Sequence, residues 1–218
     1  MDTKSRINQI YDALFDHYGP QHWWPAESDL ECIIGTILTQ NTTWKNVEKA
    51  IDKLKQQDLI SIEELGHIST EELAQIIRSS GYFNQKAIKI KNFVNFVNDN
   101  YDGDLDKFLG QDLPTLREQL LSIKGIGPET ADSIILYAAK KPIFVIDAYT
   151  HRILSRHGLV PEETNYNEMQ ELFMDSLPDD HELFNEYHAL IVKTAKEHCR
   201  KKSPVCSCCP LEFDPHTE

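Results

Sequence analysis

The sequence predicts an all-α protein, and three observations lead to this fold class. Apolar residues recur at intervals of three and four along most of its 218 residues, as on the buried face of a helix. Capping signals precede several of these periodic segments. The strand-like stretch at 142–146 is short enough to be a buried connection. The length allows one large domain or two closely packed lobes.

The individual helices follow from this periodicity and from their end signals. Apolar spacing predicts helices around 7–18, 30–38, 87–97, 116–123 and 181–199. A serine followed three residues later by a glutamate is a capping box, and it opens predicted helices at Ser28, Ser61 and Ser69. Pro114 lies near the start of another helix, where its missing N–H costs nothing.

The composition limits where the protein acts and what it binds. The N-terminus has no apolar signal region and no apolar run approaches about 18 residues, so we expect a cytosolic protein. A net charge of −13 argues at first against nucleic acid, because Lys and Arg must neutralise phosphates. The acid excess is uneven, however, since residues 193–202 carry five basic residues against Glu197 alone. A local positive face on an acidic body is compatible with DNA binding.

The most informative segment is 120–137. An apolar helix ends at Gly125, a Gly-Ile-Gly turn follows, and Pro128 takes a first-turn position in the next helix. Backbone N–H groups of such a turn, at Gly125 and Gly127, can approach a phosphate closely. Lys124 beside the turn is a candidate phosphate contact. A turn of this kind taken alone is more often only a connection between helices.

Asp147 directly follows the apolar run 143–146. A carboxylate in this place is expected at a partly buried position, where it interacts strongly with nearby positive charge. It also has the residue type of a helix N-cap, and the two roles are compatible.

The hairpin and the aspartate about twenty residues later together resemble the signature of the endonuclease III-like, HhH-GPD superfamily of DNA glycosylases. The resemblance implies two helical lobes with a DNA-binding cleft between them. A six-helix barrel over 27–139 would contain the hairpin at 120–137, and 1–26 with 140–198 would form the second lobe. The implied partner is double-stranded DNA with a damaged base, bound by a monomer in the bacterial or archaeal cytosol or nucleoid.

Two further segments are similar to DNA-distorting parts of this family. The segment 37–42 resembles the one whose glutamine, here Gln40, fills the gap left by a flipped nucleotide. The segment 81–87 looks like the wedge loop, so Tyr82 would push into the base stack. Extrusion of a base from a duplex requires such a plug and wedge, because its target atom is otherwise out of reach.

Glu129 departs from the pattern of the bifunctional members, which carry an imine-forming lysine at this position. A carboxylate cannot form an imine, so we expect a monofunctional hydrolase without AP-lyase activity. Asp147 would stabilise the oxocarbenium-like sugar and orient or deprotonate the attacking water. Glu129 itself is interpreted as a pocket acid or a structural acid.

The tryptophans resemble one branch, the 3-methyladenine DNA glycosylase III type, in which two aromatic rings sandwich the flipped base. Carried over to this sequence, the rings are Trp23 and Trp44, while Trp24 is expected in the core. An alkylated purine is cationic, and cation–π attraction of about 0.5–2 kcal/mol would favour it. The predicted substrate is therefore an alkylated purine such as 3-methyladenine.

Four cysteines cluster near the C-terminus: Cys199, Cys206, Cys208 and Cys209. Clustering of this kind in a cytosolic chain favours a metal over disulfides. The first, second and last of them match three ligands of the family's 4Fe-4S loop, which gives a candidate cluster loop at 199–209. Pro215 occupies the place of the fourth ligand. Cys208 or His216 could complete the set, and zinc or a lost cluster are the alternatives.

Two other functions remain open at this point. One is an endonuclease III-like glycosylase for damaged or mismatched pyrimidines, which burial of Trp23 or Trp44 away from Asp147 would favour. The other is a catalytically silent helix-hairpin-helix DNA-binding protein, in which Asp147 merely caps a helix. A plug and a wedge argue against the silent binder, because a protein that only binds DNA has no need to extrude a base.

Overall fold

The computed structural model describes residues 2–23 and 25–217; Trp24 lies outside the described residues. This described part holds α-helices and short 3-10 turns but no β-strand, which confirms the all-α prediction. The helices are α1 (Thr3–Tyr18), α2 (Asp29–Thr39), α3 (Trp44–Gln56), α4 (Ile62–His67), α5 (Thr70–Ile76), α6 (Phe83–Tyr101), α7 (Leu105–Leu109), α8 (Leu113–Ser122), α9 (Pro128–Tyr137), α10 (Ala148–Arg156), α11 (Tyr166–Met174) and α12 (His181–Glu197).

The chain divides into two compact units. The central unit comprises Trp24–Lys140, and the terminal unit comprises Met1–Trp23 with Lys141–Glu218. That 27–139 forms a functional barrel domain and 1–26 with 140–198 a second lobe stays a prediction. None of the described helices is both long enough and apolar enough to span a membrane.

In the central unit, α2 is almost entirely buried. Its residues from Leu30 to Leu38 are all buried, and it packs against α3, α6 and α9. The helix begins at Ser28, whose side chain accepts a hydrogen bond from the Glu31 N–H. Because α2 ends at Thr39, Gln40 is held at the end of a rigid, buried element.

The three predicted capping boxes differ in how far they form. All three serines accept the expected backbone N–H bond, but of the three only Ser69 has the reciprocal bond, to Glu72. At Ser28 the glutamate partner, Glu31, is buried and its carboxylate instead pairs with Lys55 at 2.9 Å. The sequence pattern therefore identifies the helix starts correctly, but it does not predict which partner the glutamate carboxylate binds.

In the terminal unit, α12 packs against α1 and α10. The stretch 142–146 has no regular secondary structure and its residues 143–146 are buried, so it is a buried connection, as predicted. Its Phe144 is fully buried and stacks on Phe173 with ring centroids 3.8 Å apart. This packing fixes the backbone that leads into α10, and therefore the position of Asp147.

Candidate active site

Asp147 is the N-cap of α10, and its two oxygens have different surroundings. Oδ1 accepts from the backbone N–H groups of Tyr149 at 2.9 Å and Thr150 at 2.7 Å, and from the Thr150 hydroxyl at 3.0 Å. Oδ2 lies 3.6 Å from Nε2 of His188, a buried residue of α12. One oxygen thus holds the carboxylate in place, while the other faces an imidazole.

The electrostatics of Asp147 favour a permanent charge. Burial by itself would raise the pKa, but the interaction with His188 and the hydrogen bonds from Thr150 outweigh it and hold the pKa of Asp147 below its usual 3.8. A carboxylate with a low pKa is a weak general base near neutral pH. The arrangement therefore suits the stabilisation of a neighbouring positive charge better than the abstraction of a proton.

Trp23 is half-buried in the same unit as Asp147. The ammonium of Lys196 lies 5.6 Å from the centroid of the Trp23 ring and 5.6 Å from that of Tyr149. Tyr149 is also the residue whose N–H donates to Asp147. Lys196 therefore connects the tryptophan to the first turn of α10, and the indole face already accepts a cation.

The hairpin connects α8 and α9 within the central unit. Gly125 has φ +100°, a conformation that L side chains rarely adopt, so a residue without Cβ is required there. Gly127 is the N-cap of α9 and makes no side-chain capping bond, so the first-turn N–H groups are not capped from that position. Arg117 donates to the fully buried Asp132 through two nitrogens, at 2.7 and 3.2 Å, which ties the two helices together.

Lys124 and Glu129 lie on either side of this turn and are both exposed. The backbone carbonyl of Lys124 accepts from Asn92 at 2.8 Å, which links the turn to α6. Glu129 sits in the first turn of α9, where a negative charge is favoured by the helix dipole. An acid at this position is therefore compatible with a stable helix, and the residue is exposed to solvent.

Gln40 is held by two hydrogen bonds within the central unit. Its Nε2 donates to the Thr130 hydroxyl of α9 at 2.8 Å, and its Oε1 accepts from the ammonium of Lys89 on α6. The side chain is therefore fixed between the hairpin helix and α6.

Tyr82 is 73% exposed and has φ +46°, which is strained for a bulky residue. Four residues later the buried Lys86 donates to the carbonyls of Leu38 at 2.8 Å and Ser80 at 2.7 Å. This ammonium ties the end of α2 to the turn that presents Tyr82. Burial and the nearby Lys89 lower the pKa of Lys86 to about 8.

Trp44 is half-buried at the start of α3, and its indole N–H donates to Glu48 Oε1 at 2.9 Å. It lines a cavity that is open to solvent. The carboxylates of Glu31, Glu48 and Asp52 line the same cavity, against the single ammonium of Lys55. The charged part of the lining is therefore net negative.

Three of the four clustered cysteines, Cys199, Cys206 and Cys209, line one pocket. His216 also lines this pocket, whereas Cys208 is exposed with its Sγ 3.7 Å from Nδ1 of His198. Across residues 2–23 and 25–217, no three His, Cys, Asp or Glu side chains are placed to hold a metal ion. The three cysteines share one pocket, which is what a group held jointly by their thiolates requires.

Comparison with known proteins identifies the family. Residues 34–179 match the HhH-GPD superfamily of base excision DNA repair proteins. The chain belongs to the HhH-GPD superfamily. It is 47% identical to a Methanocaldococcus jannaschii protein described as a DNA repair glycosylase, over 94% of each chain. It is 33% identical to endonuclease III of Sulfolobus acidocaldarius, over 82% of this chain and 78% of that protein.

A solved structure also resembles this HhH-GPD protein. The 3-methyladenine DNA glycosylase MagIII of Helicobacter pylori, determined with 1,N6-ethenoadenine bound, has a TM-score of 0.77 and 27% identity. The similarity covers 90% of this chain and 98% of that one. The predicted family is thus confirmed: the protein is a base excision repair DNA glycosylase, and its partner is DNA with a damaged base.

The structure of this HhH-GPD glycosylase adds site residues that the sequence did not suggest. His188 follows the spacing of the apolar residues in α12, so the sequence predicts only that it is buried in the core. Lys89 and Glu48 read as solvated charges on amphipathic helices. Lys86 lies inside the segment interpreted as the wedge loop, and its helical spacing, three residues after Phe83 and four before Ile90, is the one signal of burial in the sequence.

Proposed function

We propose that this HhH-GPD glycosylase is a monomeric, monofunctional enzyme that hydrolyses the N-glycosidic bond of alkylated purines such as 3-methyladenine. The observation that carries this proposal is the cavity beside Trp44, which pairs an indole with a lining of three carboxylates and one ammonium. A cationic base gains cation–π attraction and Coulomb attraction in such surroundings, whereas a neutral base gains stacking alone. The named substrate of the similar Helicobacter pylori enzyme points in the same direction.

Cleavage of the N-glycosidic bond of a cationic purine requires little protonation of the leaving base. As the bond between C1′ and the purine nitrogen breaks, its electron pair stays with the base and neutralises the cationic ring. Positive charge develops on the sugar, where the ionised Oδ2 of Asp147 would stabilise it. Water then adds to C1′ and loses a proton to solvent, which leaves an abasic site and a free base.

Trp23 would supply the second aromatic wall of the base pocket. Its indole is half-buried and lies near α10 through Lys196. With that ammonium on one side of the ring, a base would stack on the opposite face. Glu129, exposed beside the hairpin, is proposed as a further acid of the pocket.

DNA would be held by the hairpin and distorted by two side chains. The first-turn N–H groups that follow Gly127, together with Gly125 and Lys124, would bind a backbone phosphate. Gln40 would fill the gap left by the flipped nucleotide, and the exposed, strained Tyr82 would act as the wedge.

A 4Fe-4S cluster held by Cys199, Cys206 and Cys209 is proposed for the loop 199–209, with Cys208 or His216 as the fourth ligand. The group would act as a structural cross-link of the C-terminal segment. A yellow-brown protein that Cys206→Ser bleaches would support the cluster, and a colourless protein purified anaerobically would exclude it.

The second candidate is an endonuclease III-like glycosylase for damaged pyrimidines, which the 33% identity to the Sulfolobus acidocaldarius enzyme favours. The two candidates differ in the lyase step, because an imine needs an amine nucleophile.

Borohydride is expected not to trap a covalent complex between the wild-type protein and methylated duplex DNA, because Glu129 replaces the imine-forming lysine. The product should be an intact strand that breaks only after hot alkali. Glu129→Lys, which restores an amine at this position, should yield some trapped complex. Efficient trapping by the wild-type protein would contradict the monofunctional assignment and identify another amine, such as Lys124, as nucleophile.

A further inference from the structure

Lys89 connects two parts of the DNA-binding machinery that the sequence treats separately. Its ammonium donates to Oε1 of Gln40, while the other end of that carboxamide donates to Thr130 of the hairpin helix α9 at 2.8 Å. The plug glutamine is thus held from both sides, by α6 and by α9.

The stem of Lys89 lies directly across the hairpin turn. A Cβ built on Gly125 would be 2.6 Å from Cγ of Lys89 and 3.3 Å from its Cδ and Cε. The neighbouring Asn92 of α6 also donates to the Lys124 carbonyl at 2.8 Å. Helix α6 therefore braces the turn, and Lys89 reaches from the turn to the plug.

The ammonium of Lys89 binds the amide oxygen of Gln40 in this structure, and a DNA phosphate would bind it more strongly. An ammonium binds a phosphate oxygen more strongly than a neutral amide oxygen, because both partners are then ionised. A phosphate bound at 125–127 would lie close to the lysine stem. The charge of Lys89 would then be drawn from Gln40 toward the DNA.

We propose that Lys89 is a positioning residue that latches the plug: it holds Gln40 in the DNA-free protein and transfers to a backbone phosphate at the hairpin. This inference rests on the proposed roles of Gln40 and of the turn. On transfer, Gln40 keeps only its bond to Thr130, so one contact instead of two holds it out of the duplex. Phosphate capture and plug insertion are thereby coupled.

The test measures affinity for a duplex with a central abasic site, for the wild type and for Lys89→Met, Gln40→Ala and the double variant. Methionine keeps an unbranched stem over Gly125 but removes the charge. Lys107→Met, at an exposed lysine of α7, controls for the loss of one positive charge. Lys89→Gln provides a second variant if the methionine protein does not fold.

Two results are expected. Lys89→Met should reduce the slope of log K against log salt concentration by about one, whereas Lys107→Met should leave it unchanged. The second result concerns the loss of affinity that Lys89→Met causes. This loss should be at least threefold smaller in the protein that keeps Gln40 than in the Gln40→Ala protein. The difference arises because wild-type binding must break the Lys89–Gln40 bond, and bonds to charged groups contribute more than this threshold.

An unchanged salt slope would overturn the transfer to phosphate, and coupling below threefold would overturn the latch. The comparison of Lys89→Met with the double variant separates this from the plug assignment itself, because neither protein has the Lys89–Gln40 bond. If the double variant binds the abasic duplex as tightly as Lys89→Met, the proposed role of Gln40 fails as well. If it binds more weakly but shows no coupling, only the latch fails.

Discussion

Asp147→Asn is expected to lower the single-turnover rate of base release by about 10²–10³-fold. The change removes the charge of Oδ2 but almost none of the volume. Asparagine caps helices as well as aspartate does, so the start of α10 and the stability should be preserved. The rate is measured with enzyme in excess over a duplex that contains one 3-methyladenine, and binding to abasic DNA serves as the test of folding.

Asp180→Asn is a matched control for this experiment. Asp180 caps α12 in the same unit and also accepts two backbone N–H bonds, from Glu182 and Leu183. It should retain full activity, because its carboxylate has only the capping role. Activity of Asp147→Asn within about threefold of the wild type would mean that Asp147 is likewise only a cap.

Trp44→Ala should slow excision of 3-methyladenine strongly, because base–aromatic stacking contributes about 1–3 kcal/mol per base. A neutral base such as hypoxanthine should lose less, since cation–π attraction exists only when the base is charged. Trp44→Phe keeps an aromatic face with a weaker quadrupole and should retain partial activity with less preference for the cation. Equal losses on both bases would reduce Trp44 to a wall that sets the shape of the pocket.

Glu48→Gln tests the electrostatic part of the same argument. Glutamine can still accept the indole N–H bond but removes one negative charge from the cavity. Excision of 3-methyladenine should fall several-fold, with hypoxanthine excision nearly unchanged. Glu71→Gln, at an exposed carboxylate of α5, is the matched control. A uniform loss on both bases would show that Glu48 only orients Trp44.

The sequence located the elements that carry the site because their signals are local. An apolar run followed by an acid predicted a buried connection ending at Asp147, and glycines around Ile126 predicted the hairpin turn. The conformation of Gly125 confirms the reason for a glycine there. Of the four cysteines predicted as metal ligands, Cys199, Cys206 and Cys209 line one pocket and Cys208 does not, and their role as ligands stays a prediction.

The missed residues act through tertiary packing, which periodicity does not encode. His188 follows the same spacing as its apolar neighbours in α12, so only the packing of α12 on α10 reveals its partner. Lys89 gains its role because α6 crosses the hairpin turn. Glu31 was expected in a capping box, but α3 places Lys55 within reach and the ion pair forms instead.

The measurement that tests the central claim most directly is the rate of base release from three otherwise identical duplexes, containing 3-methyladenine, uracil or thymine glycol. Single-turnover rates remove differences in product release, and chromatography identifies the freed base. A cavity with net negative lining beside an indole predicts the fastest release for 3-methyladenine, by at least tenfold over either pyrimidine. Faster release of uracil or thymine glycol would contradict the account and assign the enzyme to damaged pyrimidines.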